Sequence, residues 1–239
     1  YPVAYRTGGP LVSALFPLTL RDVQVSRKRK RVIGPIDLVL DPSGPTILIG
    51  PNGSGKTTLL RVLHGLERVN KGHVGWTRDD PLRHAFVFQS PIVMRRSVAE
   101  NLAYPLRLLN TPKQEIKQAV DDWLQRTGLT AVHNSPAPRL SGGERQKLAI
   151  ARALIRKPDV LFLDEPCANL DGYATREIEA LLHEAAANGT HLIMATHDMG
   201  QARRLAHGLL FMLDGKIHEV GSAADLFAAP SNDELSAFL

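Results

Sequence analysis

One cysteine, Cys167, stands in a chain of 239 residues. A lone thiol excludes an internal disulfide and fits a reducing compartment. No run of about 18 apolar residues occurs, so no segment is expected to span a bilayer as a helix. An apolar stretch from Leu11 to Leu20 is broken by Ser13, Pro17 and Thr19. It lacks the basic start and small-residue cleavage site of a signal peptide. Internal repeats and low-complexity segments are missing too, and glycine (19) and proline (16) are ordinary in number, which argues against disorder. What remains is a chain 44% hydrophobic, enough for one large domain or two smaller lobes.

Lys and Arg number 29 against 24 acidic residues, a net charge of +5. Such a balance fits nucleic acid, an anionic lipid surface or phosphate ligands. Most of the basic residues are dispersed. The one run, Arg27-Lys28-Arg29-Lys30-Arg31, reads as a solvated hairpin or loop, with contact to nucleotide or lipid head groups as the alternative. No nucleic-acid motif accompanies it, so no nucleic-acid partner is expected.

Short β-rich runs alternate with helical patterns, the signature of an α/β fold. Thr46 to Ile49 leads into a glycine-rich loop, after which Lys56 to His64 reads as a helix stopped by Gly65. His84 to Phe88 reads as a strand ending at Gln89. Val160 to Leu163 and His191 to Ala195 are continuously apolar, as buried parallel strands require. Leu209 to Leu213, Asp214-Gly215 and Lys216 to Val220 form a hairpin pattern, and a last helix is expected from near Ser222. Between Gln89 and Pro158 the texture is helical. Thr111 is placed as an N-cap with Pro112 at the first helical position, and Ile116, Val120, Trp123 and Leu124 recur at helical spacing up to Gly128. Trp123 reads as core. A second helix opens at Ser141 and runs through Leu148, Ala151, Leu154 and Ile155, stopped by Pro158.

Gly50-Pro51-Asn52-Gly53-Ser54-Gly55-Lys56-Thr57 matches G-x-x-x-x-G-K-[ST] between a strand and a helix, the arrangement of a phosphate loop. Gly53 and Gly55 let the backbone bend so that N–H groups face phosphate oxygens, and the helix N-terminus adds partial positive charge. Lys56 reaches the β- and γ-phosphates, Thr57 offers its hydroxyl to Mg²⁺, and Thr58 follows among the nucleotide contacts. Asp164 closes an apolar strand, where a carboxylate is costly to bury without a cation or strong donors. Mg²⁺ held through water is its expected partner. Glu165 follows on the loop where the γ-phosphate would lie, placed to polarise an attacking water.

Between these motifs stands Leu140-Ser141-Gly142-Gly143-Glu144. With it, the chain resembles the ATP-binding cassette (ABC) ATPases from about Leu18 to about Phe227. The resemblance implies a RecA-like P-loop core with an antiparallel β subdomain (18–89 and 159–239) and a helical insertion lobe (90–158). It implies that His197 is a switch contacting the γ-phosphate. It implies that Gln89 senses Mg²⁺ and the attacking water and joins core to lobe. Ser141, Gly142 and Gly143 form a second anion site that contacts the ATP of the other protomer in a head-to-tail homodimer. In Ala168-Asn169-Leu170-Asp171, Asp171 couples the two sites. The family places an aromatic residue 25 to 30 positions before the phosphate loop to stack on adenine. Here that place falls near Arg27 with no aromatic close by, so a guanidinium stacking on the base is the substitute reading.

Three functions are consistent with such a cassette: a transporter ATPase bound to separate permease subunits, a soluble member acting on chromosomes or ribosomes, and a regulatory module without turnover. Chromosome-type members insert a long coiled coil, and this chain has only about 70 residues between motifs without sustained heptads. Ribosome-acting members usually carry two cassettes. A module without turnover tends to lack Glu165 or His197. The resemblance therefore favours an importer ATPase, peripheral on the cytoplasmic face of the plasma membrane, served indirectly by a substrate-binding protein. The end at Leu239 is read as the absence of a C-terminal regulatory domain. Leu63-His64-Gly65-Leu66 and Phe88 to Val98 resemble cassettes of tungstate-type oxyanion importers, with phosphate and amino-acid importers as near neighbours. Ser90 to Asn101, with Ile92, Val93, Met94, Arg95 and Arg96, is the expected wall of a groove for a cytoplasmic permease helix, the alternative being that the three apolar residues pack inside the helical lobe.

Overall fold

The computed structural model describes residues 3–5, 15–41, 43–78, 80 and 83–239. The N-terminal part of the stretch from Leu11 lies outside them. From Leu15 onward that stretch is core: Leu15, Phe16, Leu18 and Leu20 are all buried.

The architecture follows from two kinds of apolar patterning. Strands buried on both faces build a six-stranded sheet in the order β10-β9-β4-β8-β7-β6. Its members are β4 (Thr46–Ile49), β6 (His84–Val87), β7 (Val160–Asp164), β8 (His191–Ala195), β9 (Gly208–Leu213) and β10 (Lys216–Ser222). β6, β7, β8, β4 and β9 run parallel, and β10 returns antiparallel to β9 through the Asp214-Gly215 turn. Alternation distributes each strand between two cores. Leu48, Val160, Phe162, Ile193, Leu210 and Met212 face α1 (Lys56–His64) and a second sheet. Ile47, Ile49, Leu161, Leu163, Leu192, Met194 and Phe211 face residues of α4 (Gly142–Leu154), α5 (Gly172–Ala187) and α6 (Met199–Leu205). The short helices α7 (Ala223–Ala228) and α8 (Asp233–Phe238) close this side, with Leu226 and Leu235 buried.

The second sheet orders β1 (Val3–Tyr5), β3 (Lys30–Leu40), β2 (Leu18–Arg27) and β5 (Lys71–Trp76). β2 runs antiparallel to both β3 and β5, and β1 runs parallel to β3. The basic run lies at the β2–β3 turn. Lys28 and Arg29 occupy it with φ of 48° and 63°, the left-handed pair that matches the twist of a tight hairpin. This fits the solvated-hairpin reading.

Three helices carry their own core: α2 (Val98–Leu108), α3 (Lys113–Arg126) and α4, with Val98, Leu102, Ile116, Val120, Leu124, Leu140, Leu148 and Ala151 buried together. Trp123 packs, partly buried, against this cluster and the neighbouring one. Two expectations need correction. Pro112, extended at ψ 142°, is itself the N-cap of α3, and no side chain caps that helix. Helix α2 follows a capping box, Ser97 and Glu100, that the sequence reading passed over. A Ser-x-x-Glu pair before an apolar run is its signal, and such a cap contributes roughly 1 kcal/mol. The α3 stop comes two residues before Gly128, with Thr127 as C-cap.

Candidate functional site

Parallel strands deliver their carboxyl ends to one edge of the sheet, and the loops there collect the polar residues. β4 runs into the phosphate-loop residues, β7 ends in Asp164 and Glu165, Gln89 follows β6 and His197 follows β8. These strands are neighbours in the sheet, so residues far apart in sequence meet. A cavity of about 520 Å³ is lined there by Asn52, Gly53, Gly55, Lys56, Thr57, Thr58, Gln89, Glu165 and His197, with Val32, Ala168 and Asn169.

The loop's shape depends on glycine. Gly50 has φ 145°, and a Cβ there would lie 2.1 Å from the Met212 carbonyl oxygen. Gly53, at φ 83°, has nothing within 4 Å of a Cβ position, which leaves its surroundings open. Ser54 is buried and its hydroxyl has no partner among the described residues. Lys56 Nζ folds onto the carbonyls of Gly50 (2.7 Å) and Pro51 (3.0 Å). Burial lowers its pKa, opposed by the charges of Glu165 and Asp164.

Thr57 Oγ1 donates to Asp164 Oδ1 at 2.8 Å. Asp164 is only 2% exposed. Burial pushes its carboxyl up from the ordinary range, while the Thr57 hydrogen bond pulls it down. A cation beside this pair would favour the ionised carboxylate. The Thr57 hydroxyl and the Asp164 carboxylate are hard oxygen donors of the kind Mg²⁺ takes, and Gln89 lines the same cavity as Thr57. The residues present fit that ion.

Gln89 Nε2 lies 3.5 Å from Glu165 Oε2, and His197 Nδ1 donates to the same oxygen at 2.9 Å. Glu165 has φ 47°, an uncommon conformation for a residue with a side chain, and its N–H is held by the Ala195 carbonyl at 2.9 Å. This brings together the three residues that the sequence reading assigned to catalysis.

Arg27 is not among the lining residues. It is half exposed and paired with Glu67 at 2.7 Å. Val32, which the sequence reading missed, lines the cavity instead. Its signal was two consecutive apolar residues, Val32-Ile33, directly after a basic run. Ser141, Gly142 and Gly143 also lie outside this cavity's lining. Ser141 caps α4 by a capping box with Glu144, and a Cβ on Gly143 would lie 3.2 Å from Ala174 Cβ on α5. Asp171 caps α5 through the N–H groups of Tyr173 and Ala174. Of the expected permease-facing residues, Ile92 is 61% exposed and Arg95 and Arg96 are exposed, but Val93 and Met94 are half-buried, with Val93 packed on the lobe core.

Comparison with known proteins identifies the family. The pattern of the ABC transporter family matches residues 33–168. A tungstate uptake system ATP-binding protein of Peptoclostridium acidaminophilum is 37% identical over 208 residues, covering 84% of this chain and 97% of the relative. A sulfate/thiosulfate import ATP-binding protein of Mycobacterium tuberculosis is 38% identical over 215 residues, covering 85% of this chain. The chain spans only 61% of that relative's length. The solved structure of CbiO1 from Clostridium perfringens, part of the ABC transporter complex CbiONQ, superposes with a TM-score of 0.79 at 27% identity, over 90% of this chain and 92% of the other. The fold, the cavity and these matches together place the chain in the ABC transporter family, as an ATP-binding cassette ATPase domain.

Proposed function

We propose that the chain is the ATP-hydrolysing subunit of an importer, working as a homodimer on separate permease subunits at the cytoplasmic face of the membrane. The observation that carries this reading is the convergence of Gln89 and His197 on one oxygen of Glu165 beside the phosphate loop. Lys56 and the N–H groups of the loop hold the phosphates. Thr57 and Asp164, with Gln89 near, would hold Mg²⁺, which would supply positive charge against the β- and γ-phosphates. Glu165 orients and deprotonates the attacking water, which His197 and Gln89 keep in line. Ser141, Gly142 and Gly143 serve the ATP of the second copy, which explains why they are absent from this chain's own cavity.

Docking to the permease falls to the lobe beside Gln89. Ile92, in the loop after Gln89, is 61% exposed, and Arg95 and Arg96 close to it in sequence are exposed; Tyr104 and Leu108 are exposed on α2. A cytoplasmic permease helix with acidic or carbonyl groups at its rim suits such a face. The transported solute is tungstate or a related oxyanion such as sulfate. Relatives named for tungstate and for sulfate/thiosulfate support the class, while one named for Fe(3+) ions in Vibrio cholerae keeps metal ions as the competing reading. Phosphate and amino acids are further alternatives. The test is the ATPase rate of the complex reconstituted with its permease and binding protein, with tungstate, sulfate, phosphate, ferric ion or an amino acid supplied in turn. Stimulation by tungstate or sulfate alone supports the reading. Stimulation by ferric ion or an amino acid alone overturns the solute class.

A further inference from the structure

We propose that Arg152 is a positioning residue that locks the signature helix α4 to the loop after Gln89, so that the two move as one body. The inference rests on the ATP-sandwich reading above and concerns how that site communicates with the permease-facing loop.

Arg152 lies on α4, eleven residues beyond Ser141, which places it about 16 Å along the helix axis at the usual rise per residue. Its guanidinium reaches off the helix. Nη2 donates to the carbonyl of Ile92 and Nη1 donates to Asn101 Oδ1 at 3.2 Å. Burial lowers the pKa of this guanidinium, yet two directed acceptors meet it.

Asn101 is fully buried on α2 and extends the lock through the loop. Its Oδ1 also accepts from the N–H of Met94 at 2.9 Å. Its Nδ2 faces the carbonyls of Ser97 (2.9 Å), Met94 (3.3 Å) and Arg96 (3.4 Å). Backbone groups from Ile92 to Ser97 are therefore fixed by two side chains, one of which belongs to α4. Removing Arg152 takes one donor from the Ile92 carbonyl and one from Asn101 Oδ1, which keeps the Met94 N–H, and removing Asn101 takes the side-chain partner from the Met94 N–H. The loop begins directly after Gln89, whose amide faces Glu165. A push on Ser141 from the opposite nucleotide is transmitted along a rigid helix to Arg152, then to Ile92. A push on Ile92 from the permease returns by the same route.

Two measurements test this. First, Arg152→Lys in the reconstituted complex keeps the charge but cannot fork onto both acceptors. It should leave the melting temperature and the basal ATPase close to wild type and lower solute-stimulated ATPase by about tenfold, the size of an ordinary coupling between sites. Wild-type stimulation in a folded Arg152→Lys variant overturns the proposal. So does a loss that merely tracks a lowered melting temperature, because that is a structural role. Second, hydrogen exchange on the otherwise unaltered chain in a Glu165→Gln background needs no change at Arg152. ATP should raise protection at residues 94–101 together with residues 141–145. Protection at 141–145 alone overturns the proposal while leaving the sandwich reading intact. ATP binding without protection in either segment overturns the sandwich reading and this proposal with it.

Discussion

His197 Nδ1 donates to Glu165 Oε2 at 2.9 Å across 32 residues of sequence. The contact exists because β7 and β8 are parallel neighbours, with Asp164 paired to Ala195. Each strand then releases its polar residue just past the paired end. Glu165 sits at φ 47° to make this contact, strain of a kind that clusters at functional sites. His197→Ala removes a partner of the carboxylate without touching the phosphate loop. ATP affinity should stay near wild type while turnover falls by about a hundredfold or more. An unchanged turnover number in that variant contradicts a role for the contact.

Dimerisation should depend on nucleotide. In a Glu165→Gln background, ATP held by the Lys56 loops would, on the proposed sandwich, bridge to the opposing Ser141 helices and add contacts that the nucleotide-free chain lacks. Light scattering should then report a dimer with ATP and a monomer without it, and Ser141→Arg should restore the monomer. A monomer at saturating ATP, or a dimer indifferent to Ser141→Arg, contradicts the sandwich.

The permease face is tested by charge. Ile92→Asp combined with Arg95→Glu and Arg96→Glu alters exposed side chains outside the phosphate cavity. ATPase of the isolated subunit should persist. Solute-stimulated ATPase and uptake by the complex should fall by at least about tenfold, as for loss of a central interface contact. Unchanged uptake by the folded triple variant places the permease elsewhere.

Acid should destabilise the fold through two histidines. His64 and His191 are lowered to about 4, chiefly by burial, with His84 and His207 as the respective neighbouring charges. Between that value and the ordinary 6.5, the unfolded chain binds protons that the folded chain refuses. Stability is therefore full above this window and is lost as pH falls through it. Urea midpoints at about pH 7 and pH 5 should differ, lower at pH 5, and His191→Asn should narrow the gap. Equal midpoints for the wild-type chain contradict the assignment.

The strands bearing the site were legible because burial on both faces leaves an uninterrupted apolar run, and the phosphate loop because its glycines are obligatory. Thr46–Ile49, Lys56–His64 and His191–Ala195 were placed to the residue. Helix α2 was less legible. Pro105 within it and the polar start at Ser97 resemble loop chemistry until the capping box is recognised. Ile92, Val93 and Met94 read as one exposed patch, yet Asn101 and Arg152 draw the loop inward so that only Ile92 stands out. That tie spans α2 and α4 and leaves no local mark in the sequence. The Arg27 expectation depended on a distance counted from the phosphate loop. Glu67, just beyond α1, takes up that guanidinium instead.

The most direct test of the account is steady-state ATP hydrolysis by Glu165→Gln beside the wild-type chain, with ATP binding measured on both. Lys56 and the loop remain in the variant, so affinity should be retained. On the proposed role of Glu165 in orienting and activating the water, the turnover number should drop by about a hundred- to a thousandfold. Turnover near wild type with retained binding would contradict the assignment of Glu165, and with it the chemistry built on Gln89 and His197.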